Sequence, residues 1–155
     1  MAPIEYRITG IGEIGLIREL WTELNAYHRD RAGVFREHYN QTPFDTRKEY
    51  FENLAANGLF RLILASERED GLIIGNIVSS LSAEHTGEIE SVFVTGRYRG
   101  MGVGSVLVTM ALAWLDEQGS VRNRVSVADG NEEAWTFYRK FSFYPRLTVL
   151  EQKKG

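Results

Sequence analysis

Between Val92 and Ser105 the chain reads Val-Phe-Val-Thr-Gly-Arg-Tyr-Arg-Gly-Met-Gly-Val-Gly-Ser, a strand that breaks into a glycine turn and reopens as a helix. A helix N-terminus leaves backbone N–H groups without partners, and the positive end of the helix dipole lies behind them. Such a terminus attracts phosphate, and glycines let the backbone approach the anion without a Cβ in the way. Arg97 and Arg99 add charge that can pair with phosphate oxygens. The plainer reading is a helix start with convenient turn glycines at Gly96, Gly100, Gly102 and Gly104. Two nucleotide motifs fit poorly. Gly-x-Gly-x-x-Gly counted from Gly100 meets its third glycine one residue early, at Gly104, and counted from Gly102 it meets Leu107 instead. A P-loop needs Gly-Lys-Ser/Thr, and that triplet does not occur.

The surrounding pattern predicts an α/β chain. Ile4, Tyr6 and Ile8 alternate with polar residues as a strand. Ile14, Ile17, Trp21, Leu24 and His28 follow helical steps over Glu13–Arg31. A second helix is expected over Asp45–Asn57, with Asp45 or Thr46 as cap and Gly58 as a left-handed stop. Leu59–Ser66 and Leu72–Leu81 read as a hairpin across Glu69-Asp70-Gly71, and Glu88–Val94 as the strand before the glycines. A helix to Gln118 stopped by Gly119, a strand over Val121–Ala128, a helix over Asn131–Phe141 and extended structure over Phe143–Glu151 complete the chain. The order is β-α-α-β-β-β-α-β-α-β, a mixed sheet flanked by helices in a single domain of 155 residues.

Composition narrows the function. The chain has no cysteine, which excludes disulfides, Cys-ligated zinc, iron–sulfur clusters and thiol nucleophiles. Its 18 Lys+Arg against 21 Asp+Glu give a net charge of −3, unlike the basic face of a duplex-binding module, so no nucleic-acid partner is expected. No stretch approaches the roughly 18 unbroken apolar residues of a membrane span, and Met1–Thr9 lacks the pattern of a secretion signal. A cytoplasmic protein without a membrane partner is expected. His38 and His85 fall in expected loops without partners at metal-ligand spacing, so no metal is proposed. His28 reads as a packed histidine. Tyr27, Phe35, Glu37, Tyr39 and Phe44 could floor an amine pocket but have the composition of any packed helical hairpin.

The glycine turn resembles the acetyl-CoA-binding motif of the GNAT superfamily of N-acetyltransferases, Gln/Arg-x-x-Gly-x-Gly/Ala. Two registers satisfy it, Arg97-Tyr98-Arg99-Gly100-Met101-Gly102 and Arg99-Gly100-Met101-Gly102-Val103-Gly104. Asn131-Glu132-Glu133-Ala134-Trp135-Thr136-Phe137-Tyr138-Arg139-Lys140-Phe141 resembles the family's second motif, and the element order is also the family's. The resemblance is close over residues 60–150, the expected acetyl-CoA core (59–150), and rests on element order over 1–57, the half that varies with substrate. One departure is Phe141-Ser142-Phe143, where the family usually has Gly in the middle position; Ser142 implies some local cost or a different cap.

The resemblance implies acetyl-CoA as co-substrate and direct attack by a primary amine through a tetrahedral intermediate. Tyr138 shares a helix face with Ala134 and Phe141 and by resemblance would give its proton to the departing thiolate. Glu88 and Glu90 stand two apart on the strand before the turn, so Glu88, Glu90, Val92 and Val94 are expected on one face. By similarity an acid there relays the amine's proton, and Glu90 is closer to the expected acetyl position. Backbone groups of Val92, Phe93 and Val94 would cradle the pantetheine and the oxyanion. Asn131 would contact the pantetheine arm and also cap its helix, while Arg97, Arg99, Gly100, Met101, Gly102, Val103, Gly104 and Ser105 would hold the pyrophosphate. The acceptor is left open between a small metabolite, an antibiotic, a polyamine and a peptide or protein amine, and a homodimer is compatible with the family. A second reading is a GNAT-like module that holds acyl-CoA without turnover. A nucleotide-binding oxidoreductase is a third, disfavoured by the glycine spacing.

Overall fold

Hydrophobic periodicity decides the layers. The computed structural model describes residues 3–155. Strands β1 (Ile4–Thr9), β2 (Leu59–Glu67), β3 (Ile73–Leu81), β4 (Thr86–Val94) and β5 (Arg122–Val125) form one sheet in that order. The first four are antiparallel, and β5 joins β4 in parallel. Helices are α1 (Arg18–Arg31), α2 (Arg36–Gln41), α3 (Phe44–Asn57), α4 (Val103–Glu117) and α5 (Glu133–Arg139). Among the described residues no helix is long and apolar enough to cross a membrane.

The sheet divides the core in two. On one face Ile63, Ile77 and Ile89 meet Leu107, Val108 and Ala111 of α4 and Tyr138 of α5. On the other, Leu62, Leu64 and Val78 meet Phe44 and Phe51 of α3 and Ile14 and Ile17. Val103, Leu107, Ala111, Trp114 and Leu115 recur at three- and four-residue steps, so α4 buries a continuous apolar stripe. The hairpin forms where expected, with Gly71 left-handed at φ 71°.

Several boundaries differ from expectation. The first helical stretch is a 3-10 turn over Ile11–Ile17 before α1 begins. Helix α2 lies where a loop was expected and holds His38. Neither Asp45 nor Thr46 caps α3; Pro43 precedes it, and Asp45 pairs with Arg18 instead. Gly58 is extended rather than left-handed. Its need for glycine is steric, because a Cβ there would stand 2.4 Å from the Leu81 carbonyl oxygen. Gly119 does take the left-handed stop, at φ 79°. Val121 is exposed and outside β5, which ends at Val125 rather than running to Ala128. Phe143–Glu151 adds no strand to the sheet, and Val149 and Leu150 are 82% and 91% exposed. Alternation alone cannot hold a strand that gains no buried face.

Candidate active site

The sheet opens beside the glycine turn. Pairing between β4 and β5 runs only from Thr86–Arg122 to Ile89–Val125, so beyond Ile89 the two strands part. Thr95 N–H donates to Ile74 of β3, and backbone groups alternate along a strand, so those of Val92 and Val94 face the open side. Those of Phe93 face β3, where it is in register with Asn76. The expected backbone cradle therefore reduces to Val92 and Val94. One carbonyl of that cradle is already used, since Arg99 Nε donates to Val94 O at 3.0 Å.

The opening leads to the N-terminus of α4. The first backbone bond of that helix is Val106 N–H to Gly102 O, which leaves Val103, Gly104 and Ser105 N–H without helical partners. Gly100 and Gly102 hold φ at 79° and 84°, a region costly for any residue with a Cβ. The cleft has a volume of about 1240 Å³, more than the roughly 300–1,000 Å³ usual for one small ligand, which leaves room for two reactants. Its walls include Glu88, Glu90, Val92, Phe93, Val94, Arg99, Gly100, Gly102, Val103, Gly104, Ser105, Asn131 and Tyr138.

Two expected residues do not line it. Met101 is exposed, and Arg97 lies outside with its guanidinium 5.8 Å from the Tyr98 ring. Arg99, expected to pair with phosphate, has its guanidinium 4.7 Å from the Tyr27 ring and 5.0 Å from the Phe93 ring. Asn131 faces the cleft but does not cap α5, whose preceding residue is Glu132.

The chain matches the acetyltransferase (GNAT) family over residues 17–143, most of its length. It belongs to that family. Among solved structures it is similar to a Pyrococcus furiosus protein assigned provisionally as an acetyl transferase, with 24% identity, a TM-score of 0.71 and coverage of 97% of this chain and 100% of that one. It is similar to aminoglycoside N-acetyltransferase AAC(6')-Iy in complex with CoA at 16% identity and a TM-score of 0.71, over 99% of this chain and 96% of that one. A tetramutant of the BH1408 protein from Bacillus halodurans gives 16% identity and a TM-score of 0.76, over 97% and 99%. No curated protein matches. At such identities the likeness is one of fold.

Acetyl-CoA is the acyl donor that membership brings, and the cleft of this GNAT protein fits it. The open backbone of Val92 and the N–H of Val94 suit an amide-bearing arm, and the exposed N–H groups of α4 suit a pyrophosphate.

The two acids separate in environment. A bulge between the Val78–Ser91 and Ser79–Ile89 pairs gives β4 one extra residue, Glu90. The alternation flips there, so Val92 and Val94 pack with Ile89 on the α4 face, opposite Glu88 and Glu90. The expectation that all four side chains point one way is therefore corrected. Glu88 is tied to Arg124 directly across on β5, at 2.8 Å. Glu90 accepts from Tyr50 Oη at 2.9 Å and Ser80 Oγ at 2.7 Å. Burial holds its carboxyl above the usual range, with Glu88 adding to the rise, while Ser80, Tyr50 and Arg47 oppose it. Tyr138 is buried, and burial alone pushes its hydroxyl up, so the phenol keeps its proton at neutral pH.

Sequence reasoning read most of the wall opposite the glycine turn as ordinary packing. Trp21, His28, Tyr39, Arg47 and Tyr50 line the cleft from α1, α2 and α3. Among the described residues the buried Nδ1 of His28 has no hydrogen-bond partner, and burial followed by Arg31 lowers its pKa. Tyr27 and Tyr39, read as ordinary packing, reach the cleft, whereas Phe44 belongs to the core and Glu37 pairs with Lys153. The available signal was the spacing of Arg47, Tyr50 and Phe51, which places a cation and a phenol one turn apart beside a core aromatic.

Proposed function

We infer that this GNAT protein is an N-acetyltransferase that passes the acetyl group of acetyl-CoA to a primary amine. The carrying observation is that a protonated buried phenol and a raised carboxyl face one cleft whose floor is unpaired strand backbone. Residues 59–150 would hold the donor and residues 1–57 would select the acceptor. The acceptor is a small-molecule or peptide amine, and α1–α3 would frame it.

The amine nitrogen must be neutral to attack the thioester carbon. Glu90 is the acceptor for its proton, directly or through water, because its raised pKa brings it closer to the operating range of a base. Glu88 is the weaker choice, being paired with Arg124. As the C–N bond forms, negative charge grows on the carbonyl oxygen, and the free N–H groups of Val92 and Val94 are fixed donors for it. As the C–S bond breaks, Tyr138 gives its proton to the sulfur. The two protein groups then exchange protons with solvent, and no covalent enzyme intermediate is needed.

A thiol-release screen with acetyl-CoA and a panel of amines tests the reading. Turnover with at least one primary amine is expected, and Tyr138→Phe should lower kcat about 10²-fold with little change in KM. Tight acetyl-CoA binding with no turnover across the panel would favour a holding module, and unchanged kcat in Tyr138→Phe would remove the acid assignment.

A further inference from the structure

Glu90 is held at three points. As the extra residue of the bulge, it has a backbone carbonyl that the regular ladder does not use. Arg47 Nη2, on α3, donates to that carbonyl at 2.9 Å. One turn further along the same helix, Tyr50 Oη donates to one carboxylate oxygen, and Ser80 Oγ from β3 donates to the other. The Arg47 guanidinium lies 4.7 Å from the rings of both Tyr50 and Phe51, and Phe51 is fully buried, so the pair is anchored to the core.

We propose that Arg47 and Tyr50 are positioning residues of the transfer reaction, forming a clamp on α3 that fixes the bulged backbone and the carboxylate of Glu90 at the cleft wall. The proposal rests on Glu90 being the acceptor of the amine's proton. A bulge leaves its extra residue outside the ladder, and a base must lie within hydrogen-bond reach of the proton it takes. Arg47 answers the first problem and Tyr50 the second. The clamp also ties α3 to the proton acceptor through the Tyr50 hydroxyl and the Arg47 guanidinium.

Charge around Glu90 fixes the sign of the test. On β4 it faces Glu88, which Arg124 of β5 partly neutralises; α3 contributes Arg47 and Tyr50, and β3 contributes Ser80. His28 and Arg31 of α1 and His38 and Tyr39 of α2 border the same cleft. A hydroxyl that donates to a carboxylate favours its charged form, so removing the Tyr50 hydroxyl raises the Glu90 pKa. Tyr50 is 40% exposed, and loss of its hydroxyl should barely alter folding.

The experiment uses Tyr50→Phe, Arg47→Met and Arg47→Lys in the full chain, assayed with an amine returned by the thiol-release screen. Tyr50→Phe is expected to lower kcat about tenfold at unchanged KM for acetyl-CoA, and to move the acidic limb of the pH–rate profile to higher pH. Carbon NMR of the Glu90 carboxyl in the unliganded protein should titrate at higher pH by the same amount. Arg47→Lys should recover part of what Arg47→Met loses. A wild-type acidic limb together with an unmoved Glu90 titration in Tyr50→Phe would overturn the clamp. Full turnover by Glu90→Gln would instead overturn the proton-acceptor role, and the carboxyl titration would still decide whether α3 holds Glu90.

Discussion

Ser142 sits at φ 65° just after α5, where the Phe143 N–H reaches back to the Tyr138 carbonyl. This is a glycine-type helix stop made with a residue that has a Cβ. The left-handed region costs an L-residue roughly 1–2 kcal/mol, and glycine returns part of that gain through its freer unfolded chain. Ser142→Gly should therefore stabilise the protein by about 0.5–1 kcal/mol, read as a rise of roughly 1–4 °C in Tm. A lower Tm would show that the serine cap supplies something that backbone geometry does not. Glu90 carries the opposite tension. Its pKa is raised above the ordinary 4.5, so the folded state holds the proton more tightly than the unfolded chain does. Stability from this group is full below the ordinary value and is lost as pH rises through the folded pKa. Glu90→Gln should thus raise Tm at pH 7.5 while abolishing most activity, and the Tm difference should shrink as pH falls below the ordinary carboxyl value. A difference independent of pH would contradict the raised carboxyl.

At the scale of elements, the first turn of α4 separates binding from stability. Gly104 lies in that turn, and a Cβ there would meet Phe137 at an ordinary 3.5 Å. Helical Cβ atoms tilt towards the N-terminus, so a methyl at this position leans into the path of an anion. Gly104→Ala should hold or raise Tm, since alanine is favoured over glycine within a helix by about 0.5–1 kcal/mol. It should also weaken acetyl-CoA binding about tenfold by calorimetry. Equal affinity would move the phosphate site away from this helix. Elements were legible where periodicity was long, as in β2, β3 and α4. They were misread where a neighbour outweighed the local pattern. Gly58 answers to Leu81 across the sheet rather than to its helix end. Asn131, a favourable cap by type, turns to the cleft instead. The strand expected over Phe143–Glu151 has apolar residues in alternation but no sheet edge to bury them against.

At the scale of the whole molecule, two openings coincide: the parting of β4 from β5 and the bare N-terminus of α4. The glycine turn made the second visible in sequence, and the resemblance of its motifs supplied the fold. The wall opposite was not visible, because it is assembled from single residues of α1, α2 and α3 whose spacing is that of ordinary packing. The bulge at Glu90 was also hidden, since an extra residue in one strand shows only against its partner's register. From sequence Glu90 was preferred over Glu88 only by its place along the strand, and the Arg124 pair and the α3 donors give the two acids different environments. The central claim is that the two openings together hold a CoA thioester. Calorimetric titration with acetyl-CoA, run beside CoA, NADH and ATP, tests it most directly. Micromolar affinity for both CoA species with none for NADH is the predicted result. A folded protein that takes up no CoA species would mean that the glycine turn is only a helix start, and the proposed chemistry would fall with it.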